Sequence, residues 1–356
     1  MQTRPDEQAP TIPRRAVIVS RLNRDPHAGQ KAPRDVAVIA RRMGLRGIDL
    51  PAHGRSNFWH KNLAAVRAAL VLLRHLPRLL SAPLVVVQYP TGRLTDRLLA
   101  LVARRRRSIA LLHDVESMRH TEWAAREANN LTPFDVLIVH SASMQAFVGE
   151  LCPSAQTVVL GPFDYLTDQD VPPTASRPAA LYFVGAFLAD KIRYLREIDD
   201  APLPLQLYGP LLAPDDELQS RWRGILSPDS PRLGAIDGFG LVWDGLRADG
   251  LEGMFGAYLR HNSPHKFSLY MALGLPVIVP VDAALAALVR ERGIGFAVPT
   301  IAAGITAASA CTPEEWAAMV EAVSRLRASI TDGEHTRRAL EHAMSLLPAV
   351  HRATSV

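Results

Sequence analysis

Short runs of β-branched and other aliphatic residues alternate with longer amphipathic stretches along the whole chain. Such runs are typical of buried parallel strands, and the stretches between them are typical of helices that pack on a sheet. In the first half the runs lie at 15–20, 83–89, 108–113, 135–140 and 156–160. The amphipathic stretches lie at 33–43, 61–80, 93–104 and 142–150. This alternation predicts a doubly wound α/β domain over residues 1–162.

A stretch rich in Pro, Asp and Thr at 163–178 interrupts this pattern and is typical of an interdomain linker. The alternation then restarts, with runs at 180–185, 205–209, 239–243, 276–280 and 295–299. We therefore predict a second α/β domain over 179–335, which faces the first domain across a hinge.

The composition fits a folded globular protein, because 48% of the 356 residues are apolar and 21% are charged. Arg or Pro interrupts every apolar run before the ~18 residues that a transmembrane helix requires. The N-terminus lacks the apolar segment of a signal peptide. Cys152 and Cys311 are too few and too far apart for a disulfide framework or a zinc site. We therefore expect a cytoplasmic protein.

The net charge of +5 is compatible with nucleic acid, an anionic membrane or an acidic small ligand. Nucleic acid is disfavoured, because aromatic residues make up only 6% of the chain and do not alternate with the basic ones. The helix predicted at 61–80 has Arg67, Arg74 and Arg78 on the side opposite its apolar positions. Packing on the core explains that pattern, and docking on the inner face of an anionic membrane is the alternative.

Lysine is rare in this chain, which has 36 Arg and only four Lys. Each Lys is therefore informative, because an ammonium group is a compact point charge suited to phosphate. Lys31, Lys191 and Lys266 each stand in a turn that leads into a predicted helix. Their positions favour phosphate binding over three solvated surface lysines.

The turn before Lys266 has the pattern of a capped helix start. Asn262 or Ser263 is the predicted N-cap, and Pro264 suits the first helical position. The free N–H groups of that turn, with His265 and Lys266, would form an anion site. An ordinary capped helix with a solvated lysine is the alternative.

Polar side chains follow two of the strands predicted in the first domain. His113 and Asp114 end one strand, and Gln88 and Tyr89 end its neighbour. Ligands of α/β sheets bind at this edge, and a carboxylate or imidazole there could act as a general base. Asp114 could equally cap the next helix. The D-Q-D at 168–170 lies in the linker and not at a strand end, so we predict no metal site.

One long segment resembles the nucleotide-sugar site of bacterial GT-B glycosyltransferases. It comprises H-N-S-P-H-K-F-S-L-Y-M-A-L-G-L-P-V-I-V-P (261–280) and A-L-A-A-L-V-R-E-R-G-I-G-F-A-V (284–298). The resemblance is to galactofuranosyltransferases and to the glucosyltransferases that extend GlcNAc on serine-rich adhesins. It covers about 15 to 345 and implies a GT-B fold of two Rossmann-like domains, with helices from 336–356 returning to the first domain.

The resemblance also implies roles for particular residues. Lys191 and Lys266 would hold the diphosphate, with Asn262, Ser263 and His265 beside it. Tyr208 and Gly209 would contact the nucleotide, and Asp282 the ribose. Lys31, Gln88 and Tyr89 would face the donor sugar and the acceptor.

The implied activity is that of a Leloir glucosyl-, galactosyl- or galactofuranosyltransferase. It would move a hexosyl group from a UDP-sugar to a sugar hydroxyl of a glycan or lipid-linked glycan. Asp114, or else His113, would be the base, and no metal or other cofactor would be needed. A non-catalytic nucleotide-sugar-binding partner of another transferase is the alternative, and a homo-oligomer is left open.

Overall fold

The first sheet consists of six parallel strands in the order β2-β1-β3-β4-β5-β6. The computed structural model describes residues 12–22, 28–52, 58–199, 202–210 and 216–348. The strands are β1 (Val17–Leu22), β2 (Arg46–Pro51), β3 (Val85–Tyr89), β4 (Ser108–Leu112), β5 (Val136–Val139) and β6 (Gln156–Val159). The helices around them are α1 (Lys31–Arg42), α2 (Phe58–Arg74), α3 (Leu76–Ser81), α4 (Arg93–Ala103), α5 (Ala124–Leu131) and α6 (Ala142–Leu151).

The second sheet has the same size and is also parallel throughout, in the order β12-β11-β10-β7-β8-β9. Its strands are β7 (Ala180–Val184), β8 (Leu205–Tyr208), β9 (Trp222–Gly224), β10 (Gly238–Leu241), β11 (Val277–Pro280) and β12 (Gly295–Val298). The helices that follow β7 are α7 (Ala189–Ile192), α8 (Asp216–Gln219), α9 (Gly253–Tyr258), α10 (His265–Leu273), α11 (Ala286–Arg292), α12 (Ile301–Ser309), α13 (Pro313–Asp332) and α14 (Glu334–Ser345). The predicted fold class, two doubly wound α/β units, is confirmed.

Two strands were not predicted, and both lie at sheet edges. β2 mixes Arg46 and Asp49 with its apolar residues, and β9 has only three residues. An edge strand is partly exposed to water, so it lacks the continuous apolar run of a buried strand. The helix predicted at 61–80 is interrupted at His75, and Pro77 lies in the first turn of α3.

The last two helices connect the two units. Trp316, Val323 and Ile330 of α13 pack in the core of the second sheet. Gly333, with φ of 87°, ends α13, and α14 then packs on the first sheet through Leu340 and its neighbours.

The start of the predicted linker is packed and not exposed. Phe163, Asp164 and Tyr165 are buried. The Asp164 carboxylate accepts hydrogen bonds from the N–H groups of His335 and Thr336 in the first turn of α14, and burial raises its pKa to about 6. A Pro- and Asp-rich composition does not reveal such pairing. In the described part of the chain, no helix is both long and apolar enough to cross a membrane.

Candidate active site

A cavity of about 380 Å³ lies between the carboxyl ends of the two sheets. The first domain lines it with His113 and Asp114 after β4 and with His140 after β5. The second domain lines it with Lys191, Asp244 and residues 262–266. Because parallel strands present all their carboxyl ends at one edge, residues distant in sequence meet here.

Two lysines share one carboxylate on the second-domain side. Lys266 in the first turn of α10 donates to Asp244 Oδ1 at 2.6 Å and to the Trp243 carbonyl at 2.8 Å. Lys191 Nζ lies 3.5 Å from the other Asp244 oxygen. The Lys266 ammonium also lies 4.6 Å from the centre of the Phe183 ring. With 9% of its surface exposed, Lys266 is not a solvated surface lysine, which rules out that alternative.

Asp244 was not predicted as a site residue, although it directly follows the strand predicted at 239–243. Its position could have identified it, because Trp243 and Asp244 stand at the carboxyl end of a predicted strand. His113 and Asp114 stand at the same place in the first domain. Burial is the largest influence on Lys266 and lowers its pKa to about 8, while Asp244 opposes that shift. The ammonium therefore remains charged at neutral pH and begins to lose its proton just above it.

The turn before α10 leaves several polar atoms buried without a partner. The N-cap of α10 is Pro264, and no side chain caps this helix, so the predicted capping by Asn262 or Ser263 is wrong. Asn262 Oδ1, Ser263 Oγ and His265 Nε2 are all buried and make no hydrogen bond within the described protein. Leaving such groups unpaired costs about 1–3 kcal/mol each, so they indicate a site for a polar ligand.

His113 is held in one tautomer by Gln88. The Gln88 amide N donates to Ser20 Oγ at 2.7 Å and to the Pro33 carbonyl at 3.0 Å, so its oxygen is the acceptor. That oxygen lies 2.7 Å from His113 Nε2, which must carry the proton. The ring stacks on Phe163 with centroids 5.2 Å apart. Burial, and then nearby His140 and His265, lower the pKa of His113 to about 3, so it is neutral and a weak base.

His140 joins the two domains and was not predicted as a site residue. Its Nε2 donates to the Leu112 carbonyl at 2.8 Å, and its Nδ1 accepts from the Ser263 N–H at 3.2 Å. Burial lowers the pKa of His140 to about 4, which keeps this nitrogen an acceptor. Its position could have identified it too, because His140 directly follows the buried strand β5.

Asp114 is the carboxylate on the first-domain side of the cavity. Its side chain is 42% exposed and lies 2.9 Å from Arg119 Nη2. Burial raises the pKa of Asp114, and Arg119 is the strongest opposing influence. The following 3-10 turn, Glu116–Met118, has no side-chain cap, so Asp114 does not play that role.

Three residues predicted to face the donor and acceptor are buried inside the first domain. Lys31 donates to Asp35 Oδ1 at 2.7 Å and to the Leu166 carbonyl at 2.6 Å. Unlike Lys266, it does not line the cavity, so the phosphate prediction fails for Lys31. Tyr89 is 5% exposed and belongs to the core. Gln88 is 2% exposed and does not line the cavity, although it bonds His113 and Pro33, which do.

The three remaining predicted residues lie outside the lining of this cavity. Tyr208, the last residue of β8, is half-buried, and its ring stacks on the ring of Tyr182 in β7. Gly209 is required where two loops meet, because a Cβ there would lie 1.9 Å from the Gly185 carbonyl oxygen. Asp282 is 66% exposed and 3.8 Å from Arg260. Their nucleotide contacts remain predictions.

Metal ligands do not cluster in the described ranges, where no group of three or more His, Cys, Asp and Glu has suitable geometry. The Asp168 carboxylate of the D-Q-D sequence accepts a hydrogen bond from the Gln169 side chain. Both cysteines are free and buried.

Two parallel α/β domains that face each other across a polar cleft define the GT-B class of glycosyltransferases. Two solved structures share this arrangement. Anabaena Alr3699/HepE, crystallised with UDP and glucose, has a TM-score of 0.56 at 13% identity, covering 93% of this chain and 99% of that one. The N-terminal domain of Candida albicans trehalose-6-phosphate phosphatase has a TM-score of 0.52 at 11% identity, covering 93% and 96%.

Sequence comparison gives the family. Residues 16–160 match the N-terminal domain of the family described as glucosyltransferase 3-like, and residues 181–343 match its C-terminal domain. The chain belongs to this family.

Two curated relatives agree with that assignment. The β-1,6-galactofuranosyltransferase WbbI of Escherichia coli is 26% identical over 67% of this chain and 71% of its own length. Glucosyltransferase 3 of Streptococcus gordonii is 31% identical over 46% of this chain and 48% of its own length.

Proposed function

We propose that this protein transfers a hexosyl group from a UDP-sugar to a sugar hydroxyl of a glycan, free or lipid-linked. One observation carries the proposal: Lys191 and Lys266 both pair with Asp244. The polar atoms of residues 262–265 that lack a partner lie beside this pair, and Asp114 lies on the opposite side of the cavity. The cations and N–H groups suit a diphosphate, and the carboxylate suits an incoming hydroxyl. The names of the relatives supply the hexosyl class.

In this mechanism Asp114 accepts the proton of the acceptor hydroxyl as its oxygen bonds to the anomeric carbon. The bond from that carbon to the diphosphate breaks, and UDP leaves with the bonding electrons. Lys266, Lys191 and the first turn of α10 stabilise the negative charge that grows on the leaving group. Asp244 holds both ammonium groups near the place where that charge develops.

A panel of nucleotide sugars tests the donor assignment. UDP and its preferred sugar conjugate at about 100 times their Kd should add roughly 2.7 kcal/mol to the free energy of unfolding. Stabilisation by no UDP compound would overturn the proposal. Binding without transfer to any glycan, and without slow donor hydrolysis, would favour the alternative of a non-catalytic nucleotide-sugar binder.

Turnover is expected to be independent of divalent metal, because lysines and N–H groups already meet the diphosphate charge. Initial rates with and without excess EDTA measure this directly. The proposal of metal independence fails if EDTA abolishes transfer and added Mn²⁺ or Mg²⁺ restores it.

UDP affinity is expected to decrease as the pH rises above about 8, where Lys266 loses its proton. Below that pH the ammonium is charged and attracts the diphosphate. Above it the affinity falls by at most about tenfold per pH unit for one group. Calorimetric titration from pH 7 to 9.5 gives the profile, with uridine as the phosphate-free control. A flat UDP profile would remove Lys266 from the diphosphate site.

A further inference from the structure

The outer surface of α2 and α4 is apolar where a helix on a sheet normally presents polar residues. Ala64, Ala68 and Leu72 of α2 are buried against the first domain, yet the opposite side of this helix is also aliphatic. The exposed apolar side chains, here called the leucine face, are Leu63, Val66, Leu70, Leu73, Leu94 and Leu101, each 48–60% exposed. A cavity of about 180 Å³, lined by Leu73 and Leu101 among others, joins the two helices on this surface.

The segment that carries the leucine face is strongly basic. Residues 58–107 include ten Lys and Arg and a single acidic residue, Asp96. Asp96 is 6% exposed, and its carboxylate accepts hydrogen bonds from Thr91 and Gly92, so it adds no negative charge to the surface. Exposed arginines flank the leucines at Arg67 and Arg74 on α2 and at Arg97 on α4.

We propose that the leucine face docks on a bilayer containing anionic lipids. Aliphatic side chains can enter the acyl boundary while arginines stay at the level of the headgroups. Each such cation adds to the attraction toward an anionic surface. A second copy of this chain is a poorer occupant, because it would bring arginines against arginines with no acidic partner.

The position of this face relates it to the cleft. α2 follows β2, and α4 follows β3, so both helices begin at the carboxyl edge of the first sheet. His113 and Asp114 lie at the same edge. A bilayer there would present its headgroups beside the mouth of the cleft. Delivery of a lipid-linked acceptor from that bilayer rests on the proposed function, whereas docking itself does not.

Vesicle sedimentation of the full chain without donor or acceptor tests docking separately from activity. We expect binding to phosphatidylcholine vesicles that contain phosphatidylglycerol, weak binding to pure phosphatidylcholine, and release at high salt. Leu70→Glu with Leu73→Glu should lower the partition coefficient at least tenfold. Arg67→Gln and Arg74→Gln should each lower it about fivefold, the equivalent of about 1 kcal/mol.

Val159→Glu is the matched control, since Val159 is 41% exposed on β6 at the opposite edge of the same sheet. It should leave vesicle binding unchanged, and an unchanged thermal midpoint should show that the leucine variants are folded. Absence of binding to anionic vesicles overturns the proposal, as does equal binding by the leucine variants. A concentration-dependent dimer that Leu70→Glu dissociates, without vesicle binding, assigns the face to a second copy and also overturns it.

Discussion

Asp114→Asn is expected to slow transfer by about 10²–10⁴-fold, the usual contribution of a positioned general base. The amide cannot accept the proton of the acceptor hydroxyl, whereas the carboxylate can. UDP affinity should stay within a few-fold, because the proposed diphosphate contacts come from the other domain. Steady-state transfer rates and calorimetric UDP titrations separate the two effects. Stability should change little, since the Asp114 side chain is 42% exposed and its pair with Arg119 is partly solvated.

Glu116→Gln is the matched control for this prediction. Its carboxylate lies 3.2 Å from the same Arg119 Nη2 but is not part of the cavity lining. Transfer by this variant should be close to that of the unaltered protein. If Asp114→Asn transfers normally, the base must be reassigned, with His113 next despite its lowered pKa.

Lys266→Met is expected to lower UDP affinity by about 10- to 150-fold, because a charge-assisted hydrogen bond contributes roughly 1.5–3 kcal/mol. Transfer should fall at least as far, since the leaving group gains charge in the transition state. Uridine affinity should be unchanged. The structure adds a second effect, because the variant leaves Asp244 without its closest partner. Removing one partner of a buried pair costs about 3–5 kcal/mol, and Lys191 should keep the loss near the lower end.

Lys31→Met provides a matched control for that second effect. Lys31 also forms a buried ion pair, with Asp35 at 2.7 Å, but outside the cleft. The Lys31→Met variant should lose a comparable amount of stability and keep its UDP affinity. Equal losses of UDP and uridine binding in Lys266→Met would indicate a damaged pocket, and full UDP affinity would exclude Lys266 from the diphosphate site.

The internal strands were predictable because a strand covered on both faces needs an unbroken apolar run, which local sequence records. Sequence patterns also gave the loop and helix of residues 260–274 and the polar ends of β4. The edge strands β2 and β9 were not found, because β2 mixes charged with apolar residues and β9 has only three residues. Predicted capping of α10 failed because Asn262 and Ser263 line the cavity and make no side-chain hydrogen bond to the helix.

Lys31 and Lys266 show that local sequence does not decide which lysine reaches the cleft. Both lie in the first turn of a helix after a loop, and the sequence suggested phosphate binding for both. Lys31 finds a carboxylate on its own helix, whereas the partner of Lys266 lies 22 residues away at the end of β10.

By itself, then, the sequence determined the two α/β units and the residues at their strand ends, since both depend on short-range periodicity and turn chemistry. Only the tertiary structure decided which of those residues meet. It brought Asp244 between two lysines, His140 under Ser263 and Phe163 against His113. The physical reason is that the burial and the pairing of a polar group depend on neighbours distant in sequence, which no local pattern encodes.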